Sequence, residues 1–196
     1  MVHFHPAPKL QKFCTQCGSP LERIIPPGDN RERDTCLKCG AVHYKNPLIV
    51  SGTLTLHEGK ILLCRRGIEP RYGKWTLPAG FMELHESTMD GAIRETMEEA
   101  SASIKVKGLL SIVDVPYVSQ VHMMYLADME NVSFNPCEET LEIGFFSEDE
   151  IPWSEIAFDT VLKTLEYFFL PETQKSISEG IVPTITLSIP SNNIIS

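Results

Sequence analysis

Residues 80–102 place three carboxylates at metal-binding spacing directly after a glycine-containing loop. In a helix, residues three and four apart share a face, so Glu95, Glu98 and Glu99 are predicted to cluster on one arc. Carboxylate oxygens are the ligands that Mg²⁺ prefers. A solvated acidic surface is the alternative, since charge runs often face water. The opposite side of this helix is predicted to be apolar, formed by Met89, Ala92, Ile93, Met97 and Ala100.

The start of the predicted helix carries its own signal. Ser87 with Asp90 three residues later matches a capping box, which places the first turn just after Glu86. The preceding Pro78, Ala79 and Gly80 are typical of a loop whose backbone approaches a ligand closely. The segment is therefore expected to be a glycine loop followed by an acidic helix.

The fixed positions of this segment resemble the Nudix box, the signature of hydrolases that act on a nucleoside diphosphate linked to another moiety. The positions in register are Gly80, Glu86, Arg94, Glu95, Glu98 and Glu99. Thr96 and Ala102 replace aliphatic residues and are expected to reduce packing slightly. Ser101 stands where the pattern has a glycine, and a glycine there would more easily adopt the left-handed conformation that ends many helices. None of these departures removes a carboxylate.

The resemblance implies a metal-dependent site that uses Mg²⁺ or Mn²⁺. Glu95 and Glu99 are expected to be the principal ligands, with Glu98 as a third or water-mediated ligand. By the same resemblance, the carbonyl of Ala79 completes the shell. Glu86 and Arg94 are expected to pair and hold the loop, which is a structural role.

The general base is left open by the sequence. In similar enzymes it is a box glutamate, here Glu98, or a glutamate from a later loop. The loop at 136–142 offers Glu142, which we favour, and Glu139 as the second choice. A solvated acidic turn is the alternative interpretation of this loop.

Arginines and aromatic residues supply candidates for substrate contact. Arg65, Arg66 and Arg71 lie between a predicted strand and Trp75, and arginine suits bidentate phosphate binding. Flat rings stack on adenine or isoalloxazine. The candidate stacking residues are Tyr72, Phe81 and Tyr117, whereas Trp75 and Phe146 are assigned to the core.

Four of the six cysteines form two pairs near the start of the chain. Cys14 and Cys17, then Cys36 and Cys39, have the spacing of a Cys₄ zinc site, and Gly18 and Gly40 follow them in tight-turn positions. Two disulfides or a thioredoxin-type redox motif are the alternatives, and both fit the pattern less well. Cys64 and Cys137 are expected to be buried or incidental small residues.

Length and charge limit the possible functions. The chain has 196 residues, enough for one medium domain and a small appendage. Its net charge of −9 disfavours nucleic-acid binding through a broad basic surface. No apolar run is long enough to span a bilayer, and the first residues lack a signal-peptide core, so we expect a cytoplasmic protein without membrane contact.

The chain is divided into four segments by pattern. We predict a flexible tail at 1–12, a zinc ribbon at 13–45, a Nudix domain at 46–178 and a C-terminal tail or added strand at 179–196. Short β-like runs flank the box, a hairpin turns at 57–59, and 158–170 has helical periodicity. This pattern predicts a mixed sheet between helices, an α/β (α+β) fold that matches the α/β/α sandwich implied by the resemblance. The run at 184–189 is either an edge strand or an arm onto a partner subunit.

The ribbon, the run at 73–80 and residues 114–116 are similar to a subgroup of FAD and ADP-ribose pyrophosphatases. This implies hydrolysis of an ADP-linked small molecule to AMP, by an enzyme that is commonly a homodimer. NADH pyrophosphatases also carry a ribbon, but their Ser-Gln-Pro-Trp-Pro-Phe-Pro type of motif is absent from this chain. A nucleotide sensor without catalysis is the alternative from another class. The complete carboxylate set favours the enzyme.

Overall fold

The computed structural model describes residues 11–132 and 138–190. The predicted tail at 1–12 lies almost wholly outside these residues, as do Cys137 and the end of the predicted C-terminal segment, 191–196. The chain divides between Pro47 and Leu48 into two compact units, which we call the ribbon unit and the sheet unit.

The ribbon unit is built on two equivalent cysteine turns. Gly18 N donates to Cys14 O and Gly40 N to Cys36 O, each at 2.9 Å. Both glycines have positive φ, at 71° and 77°, a conformation that costs glycine little. A small antiparallel sheet in the order β1-β2-β3 accompanies the turns, with strands β1 at Glu22–Ile24, β2 at Arg33–Thr35 and β3 at Val42–His43.

The sheet unit contains an eight-stranded mixed sheet with helices beside it. The main path runs β10-β5-β4-β9-β8-β11, while β6 pairs with β5 and β7 pairs with β4. The elements in chain order are β4 Leu48–His57, β5 Lys60–Arg66, β6 Trp75–Thr76, β7 Ala79–Phe81, α1 Thr88–Ala100, β8 Ala102–Val115, β9 Gln120–Val132, β10 Thr140–Phe146, α2 Asp159–Phe168, α3 Pro171–Ser178 and β11 Ile185–Ser188.

The predicted hairpin joins β4 to β5. His57 pairs with Lys60, and the two turn residues Glu58 and Gly59 have φ of 50° and 78°. Two positive φ values are characteristic of a type I′ turn, whose twist matches that of the strands. The hairpin prediction is confirmed, although the non-glycine Glu58 takes the first left-handed position.

The two faces of the sheet carry different helices. On β5, Ile61 and Leu63 pack in the core that contains Val161, Leu165 and Phe168 of α2. The alternate residues Leu62 and Cys64 pack with Ala100, at the end of α1. Since side chains alternate across a strand, α1 and α2 lie on opposite faces, which we call the α1 face and the α2 face. The expected α/β/α sandwich with a mixed sheet is confirmed.

The buried arc of α1 differs from the prediction. Met89, Ile93 and Met97 are exposed, at 43%, 36% and 44% of their surface. The buried residues are instead Gly91, Ala92, Glu95, Thr96, Glu99 and Ala100. The small residues on the buried arc let the helix approach the sheet closely. The prediction that Met89, Ile93 and Met97 form the buried apolar side of the helix was therefore wrong.

Three further elements can be compared with the sequence prediction. Ala79 and Gly80, expected to lie in a loop with Pro78, instead begin β7, which pairs antiparallel with β4. Within the run at 184–189, β11 pairs parallel with β8 of the same chain, as the edge-strand alternative predicted. Helix α3 was not foreseen.

In the part of the chain that the structure describes, no helix is long and apolar enough to cross a bilayer.

Candidate active site

The acidic helix α1 begins and ends as a result of local chemistry. Ser87 caps it: the Ser87 side chain accepts from Asp90 N, and Asp90 accepts from Ser87 N, so the capping box is present. At the other end Ser101 adopts a left-handed conformation, with φ of 49° and ψ of 36°. Its N–H donates to Met97 O at 2.9 Å. The serine therefore takes the conformation that glycine would adopt at lower cost.

Glu95 and Glu99 lie on the buried side of helix α1. They are only 8% and 9% exposed. Burial raises the pKa of Glu95, and burial together with the charge of Glu95 raises the pKa of Glu99 to about 8. Ala79 N donates to Glu99 Oε2 at 3.4 Å. Two buried carboxylates one helical turn apart repel each other, and a bound cation would relieve that repulsion.

The glycine loop has a steric reason for its glycine. A Cβ on Gly80 would collide with the carboxylate of Glu95. The missing side chain thus lets this carboxylate lie against the backbone of β7. The neighbouring Ala79 donates its N–H to Glu99, so its backbone lies beside the second buried glutamate.

Arg94 joins the loop to the helix. Its Nε and Nη2 donate to Glu86 at 3.1 and 2.9 Å, and Nη2 also donates to Phe81 O at 3.1 Å. The hydrogen bond from Arg94 lowers the pKa of Glu86 to about 2, and the carboxylate of Glu86 raises the pKa of Arg94. Glu83 N donates to Glu86 Oε1 at 2.6 Å. The pairing expected for Glu86 and Arg94 is present in the structure.

The same guanidinium also neutralises two of the candidate metal ligands. Arg94 Nη1 lies 2.7 Å from Glu95 Oε1 and 3.0 Å from Glu98 Oε2. The side chain of Glu98 is 58% exposed, unlike that of Glu95. Among the described residues, only the cysteines gather three or more metal-ligating side chains within 4.8 Å. The box glutamates share a helix side without converging on one point.

Thr96 compensates for the missing aliphatic residue with a buried chain of hydroxyl groups. Its hydroxyl donates to Ala92 O at 2.8 Å and lies 2.7 Å from the hydroxyl of Thr53. Thr53 is 2.8 Å from Thr55 in turn. Since each hydroxyl has one proton, the direction runs from Thr55 through Thr53 to Thr96 and Ala92. The sequence did not reveal this connection between α1 and β4.

The two candidate bases of the later loop differ in their surroundings. Glu142 is bound to Arg65, whose Nη1 donates to Glu142 Oε2 at 3.2 Å, and the two side chains are 50% and 43% exposed. Glu139 acts electrostatically on Glu95, Glu99 and Arg66. The structure therefore brings Glu139 into the electrostatic neighbourhood of the box.

The three candidate arginines also differ in their surroundings. Arg66 is largely buried, and burial lowers its pKa despite the charges of Glu99, Glu139 and Glu69. It donates from Nε to Pro70 O at 2.9 Å, and its guanidinium lies 5.0 Å from the Phe158 ring centre. Arg65 is tied to Gly73 O and Glu142. Arg71 lies in the same loop with a φ of 71°.

The aromatic candidates occupy three different places. Tyr72 is 58% exposed in the loop that carries Arg71, and Phe81 is 39% exposed on β7 beside the box. Tyr117 lies in the short 3₁₀ helix Pro116–Val118, where burial and Asp159 raise its pKa. Trp75 and Phe146 make an edge-to-face contact and pack against the core, as predicted.

The ribbon unit gathers its four cysteines at one point. The Sγ atoms of Cys14, Cys17, Cys36 and Cys39 all lie within 4.8 Å of one another, with Sγ–Sγ distances of 3.6 Å for Cys14–Cys39 and 3.5 Å for Cys17–Cys36. Burial opposes ionisation of Cys14, yet hydrogen bonds from His43 and the backbone lower its pKa to about 6. Four converging thiols suit tetrahedral zinc. Cys64, by contrast, is buried in the core of the sheet unit.

His43 was missed by the sequence analysis. Its Nε2 lies 3.4 Å from Cys14 Sγ, and its Nδ1 lies 3.5 Å from Gln11 Nε2. Its position four residues after Cys39 was the available signal. A hydrogen bond from a neighbouring ring orients a thiolate ligand and stabilises its charge.

Comparison with known protein families identifies the family to which this chain belongs. A family model described as the NUDIX domain matches residues 45–165, more than half of the chain, and a second, described as Nudix N-terminal, matches residues 12–45. The chain belongs to the Nudix family. The matches and the box together support a Nudix pyrophosphohydrolase preceded by a zinc ribbon.

A solved structure extends the likeness over most of the chain. The crystal structure of a NUDIX hydrolase from Nitrosomonas europaea is 40% identical in sequence, with a TM-score of 0.83. The match covers 91% of this chain and 99% of that one.

Two kinds of curated relative match more distantly. The ADP-ribose pyrophosphatase of Methanocaldococcus jannaschii is 28% identical over 120 residues, which cover 59% of this Nudix chain and 70% of the relative. The NAD-capped RNA hydrolase NudC of Salmonella heidelberg is 30% identical over 150 residues, covering 74% of this chain and 54% of the relative. The aligned region thus spans about half the length of NudC.

Proposed function

We propose that this Nudix protein hydrolyses the pyrophosphate bond of an ADP-linked small molecule, ADP-ribose or FAD, and releases AMP. The observation that carries the proposal is the burial of Glu95 beside the backbone of Gly80 together with that of Glu99 beside Ala79. A fold bears the cost of two buried neighbouring carboxyl groups where a cation binds them in function. The ADP-ribose pyrophosphatase among the relatives supports the choice of substrate.

The donor set fits Mg²⁺ or Mn²⁺, because it consists of hard oxygen atoms. Glu95 and Glu99 would be the principal ligands, with the carbonyl of Ala79 beside them. Glu98 would act through water, in keeping with its exposure and its bond to Arg94. When bound, such an ion neutralises phosphate charge and favours ionisation of a bound water.

The chain's own residues orient the substrate and its charges. Arg66 is the favoured contact for the diphosphate, because its charge is largely desolvated close to Glu99. Arg94 fixes β7 relative to α1 through Phe81 O and Glu86. We assign Glu139 ahead of Glu142 as the base that accepts a proton from water, since Glu142 is held by Arg65. Arg71, Tyr72 and Tyr117 remain candidate substrate contacts.

Product analysis with Mg²⁺ tests the proposal. ADP-ribose, FAD, NADH, CoA, Ap4A and oxidised dGTP would be compared, with Glu99→Gln as the altered ligand and Glu172→Gln on the exposed side of α3 as the matched control. We expect AMP from ADP-ribose or FAD, with kcat reduced about 10³-fold in Glu99→Gln and unchanged in the control. No turnover of any compound, with nucleotide binding retained, would make the protein a non-catalytic sensor.

A second candidate substrate is supported by the NudC relatives. They are NAD-capped RNA hydrolases, and NADH is the related small molecule. Turnover of NADH alone among the compounds would therefore favour an NADH pyrophosphatase. AMP release from FAD or ADP-ribose without NADH turnover would exclude that alternative.

A further inference from the structure

Two loops meet at the end of the β5–β10 pair. One loop begins at Gly67, directly after β5, and the other ends at Glu139, directly before β10. The last residue of β5, Arg66, pairs with the first residue of β10, Thr140, which is only 1% exposed. Gly67 N donates to Glu139 O at 2.7 Å. This bond extends the backbone pairing one step beyond the two strands and ties the second loop to the first.

The missing side chain of Gly67 allows this contact. A Cβ on Gly67 would collide with Glu138 O and would approach Glu139 C to 3.2 Å. These are backbone atoms, which cannot rotate away as the end of a flexible side chain can. Gly67 is not among the glycines with positive φ, so its own conformation is open to alanine. An alanine at this position is therefore opposed by the neighbouring loop and not by its own backbone.

Strand β10 by itself constrains its first residues only weakly. The pairing of β10 with β5 shifts register between Thr140 and Glu142, so Leu141 is an extra residue in the strand. A bulge of this kind bends the strand and interrupts its ladder. The regular part of the ladder therefore ends before Glu139 is reached, and the bond to Gly67 supplies the constraint that the ladder lacks.

The position of this backbone matters because Glu139 is the residue that we assign as the base. Its charge adds to the rise in the pKa of Glu95 and of Glu99, although burial is the larger cause in both. Such an electrostatic effect falls with distance, so the carboxylate of Glu139 lies close to the box. A base must be within hydrogen-bond reach of the proton it accepts, and a displacement of about 1 Å costs about 10²-fold in rate.

We propose that Gly67 is a positioning residue for the reaction: its N–H and its missing side chain hold the backbone of Glu138 and Glu139, so that the Glu139 carboxylate stays beside the box. This inference rests on the proposed function and deepens it, because it gives a role to a residue outside the box that acts only through another residue. Arg66, the favoured contact for the diphosphate, lies within the β5 ladder, so substrate affinity should depend little on Gly67.

A double-mutant cycle on the full chain tests the inference. With Mg²⁺ and the compound that is hydrolysed fastest, kcat and KM would be measured for Gly67→Ala, Glu139→Gln and the double variant. We expect kcat to fall about 10³-fold in Glu139→Gln and about 10²-fold in Gly67→Ala, with KM nearly unchanged. The double variant should have the same kcat as Glu139→Gln, because placement of the base has no effect once the base is removed.

Gly108→Ala is the matched control for Gly67→Ala. Gly108 also lacks a positive φ, and its Cβ would approach Val182 Cβ to 3.0 Å, so the substitution introduces a tight contact elsewhere. It lies on β8, which is separated from β4 by β9. We expect its kcat and KM to equal those of the unaltered protein.

Three kinetic results would refute the inference. An unchanged kcat in Gly67→Ala would show that the contact does not affect the reaction. If Gly67→Ala lowers kcat by the same factor in the presence and absence of the Glu139 carboxylate, Gly67 acts by another route. An unchanged kcat in Glu139→Gln would remove the base on which the inference depends, while leaving the proposed hydrolysis in place.

NMR with Mn²⁺ alone gives an answer even if no compound is hydrolysed or Gly67→Ala does not fold. In the unaltered protein we expect Mn²⁺ to broaden the signals of Glu139 together with those of Glu95 and Glu99. The amide proton of Gly67 should exchange slowly with water, because it is hydrogen-bonded. In folded Gly67→Ala the broadening of the Glu139 signals should be weaker. Sharp Glu139 signals or fast exchange of the Gly67 amide in the unaltered protein would overturn the inference.

Discussion

At the scale of single residues, the departures from the Nudix pattern are explained by the structure. Thr96 occupies an aliphatic position, yet its hydroxyl completes the chain Thr55–Thr53–Thr96–Ala92 at the contact between α1 and β4. Buried hydroxyl groups are tolerated when each proton has an acceptor. The expected loss of packing at Thr96 is thus accompanied by a polar contact that periodicity does not predict.

The hydroxyl chain makes non-additive stability effects testable. Thr53→Val should lower the free energy of unfolding by about 1–3 kcal/mol, because the buried hydroxyl of Thr55 loses its acceptor. Adding Thr55→Val and Thr96→Val should recover part of that loss, since the remaining polar groups are then removed together. Urea unfolding of the single and triple variants measures both values. A triple variant that loses the sum of three separate penalties would contradict the connected chain.

The left-handed residue at the end of α1 yields a stabilising substitution. Ser101→Gly should raise the free energy of unfolding by about 1 kcal/mol, because the φ of 49° strains serine and not glycine. Thermal and urea unfolding would measure the change. The neighbouring Ala100→Gly is the matched control and should destabilise by at least about 0.5–1 kcal/mol, since Ala100 is inside the helix. Destabilisation by Ser101→Gly would show that the serine side chain contributes more than its strain costs.

At the scale of elements, helix α1 is positioned by packing and by Arg94. Its buried arc consists of small residues and two glutamates, while its methionines face solvent. A Cβ on Gly91 would approach Ser51 Oγ to 2.7 Å and Glu86 Oε1 to 2.8 Å, so this glycine allows the close contact with β4. The helix therefore delivers Glu95 and Glu99 inward instead of leaving them on a solvated face.

The Arg94–Glu86 contact predicts a pH dependence. The hydrogen bond from Arg94 lowers the folded-state pKa of Glu86 to about 2, below its usual value. Its contribution to stability is therefore complete above the ordinary glutamate pKa and is lost as pH falls through about 2. NMR titration of the Glu86 carboxyl group should show the low pKa, and Arg94→Met should raise it. A pKa unaffected by Arg94→Met would refute this cause.

At the scale of the whole molecule, the two units depend on different interactions. The ribbon unit has short strands around four converging thiols, whereas the sheet unit buries an extended apolar core between α2 and the sheet. A ribbon of this size buries too little apolar surface to fold without help. Zinc binding would supply its folding free energy.

Removal of zinc should therefore unfold one unit selectively. With a strong chelator, or in Cys36→Ser, we expect amide NMR signals of residues 14–45 to lose their dispersion while those of β4 and β9 persist. Cys64→Ser is the matched control, because that thiol lies in the sheet unit and outside the cluster. Its ribbon signals should be unchanged. Retained dispersion of the ribbon signals without metal would contradict a structural role for zinc.

Local rules explain why much of the architecture was predictable. The cysteine turns, the hairpin at Glu58 and Gly59 and the cap at Ser87 each depend on residues within a few positions of one another. Helical spacing likewise sets Glu95 and Glu99 one turn apart. Homodimer formation and the cytoplasmic location, which came from resemblance and from missing signals, stay predictions.

The sequence by itself determined the family, the two-unit organisation, the acidic helix and the thiol cluster, because these follow from spacing and turn chemistry. Only the tertiary structure decided which arc of α1 is buried, that Glu139 lies in the electrostatic neighbourhood of the box carboxylates, and that Phe81 and His122 both pair with Val50 of β4. These facts depend on the register of strands that are distant in sequence. Register is set by the packing of whole faces, so no local pattern reports it.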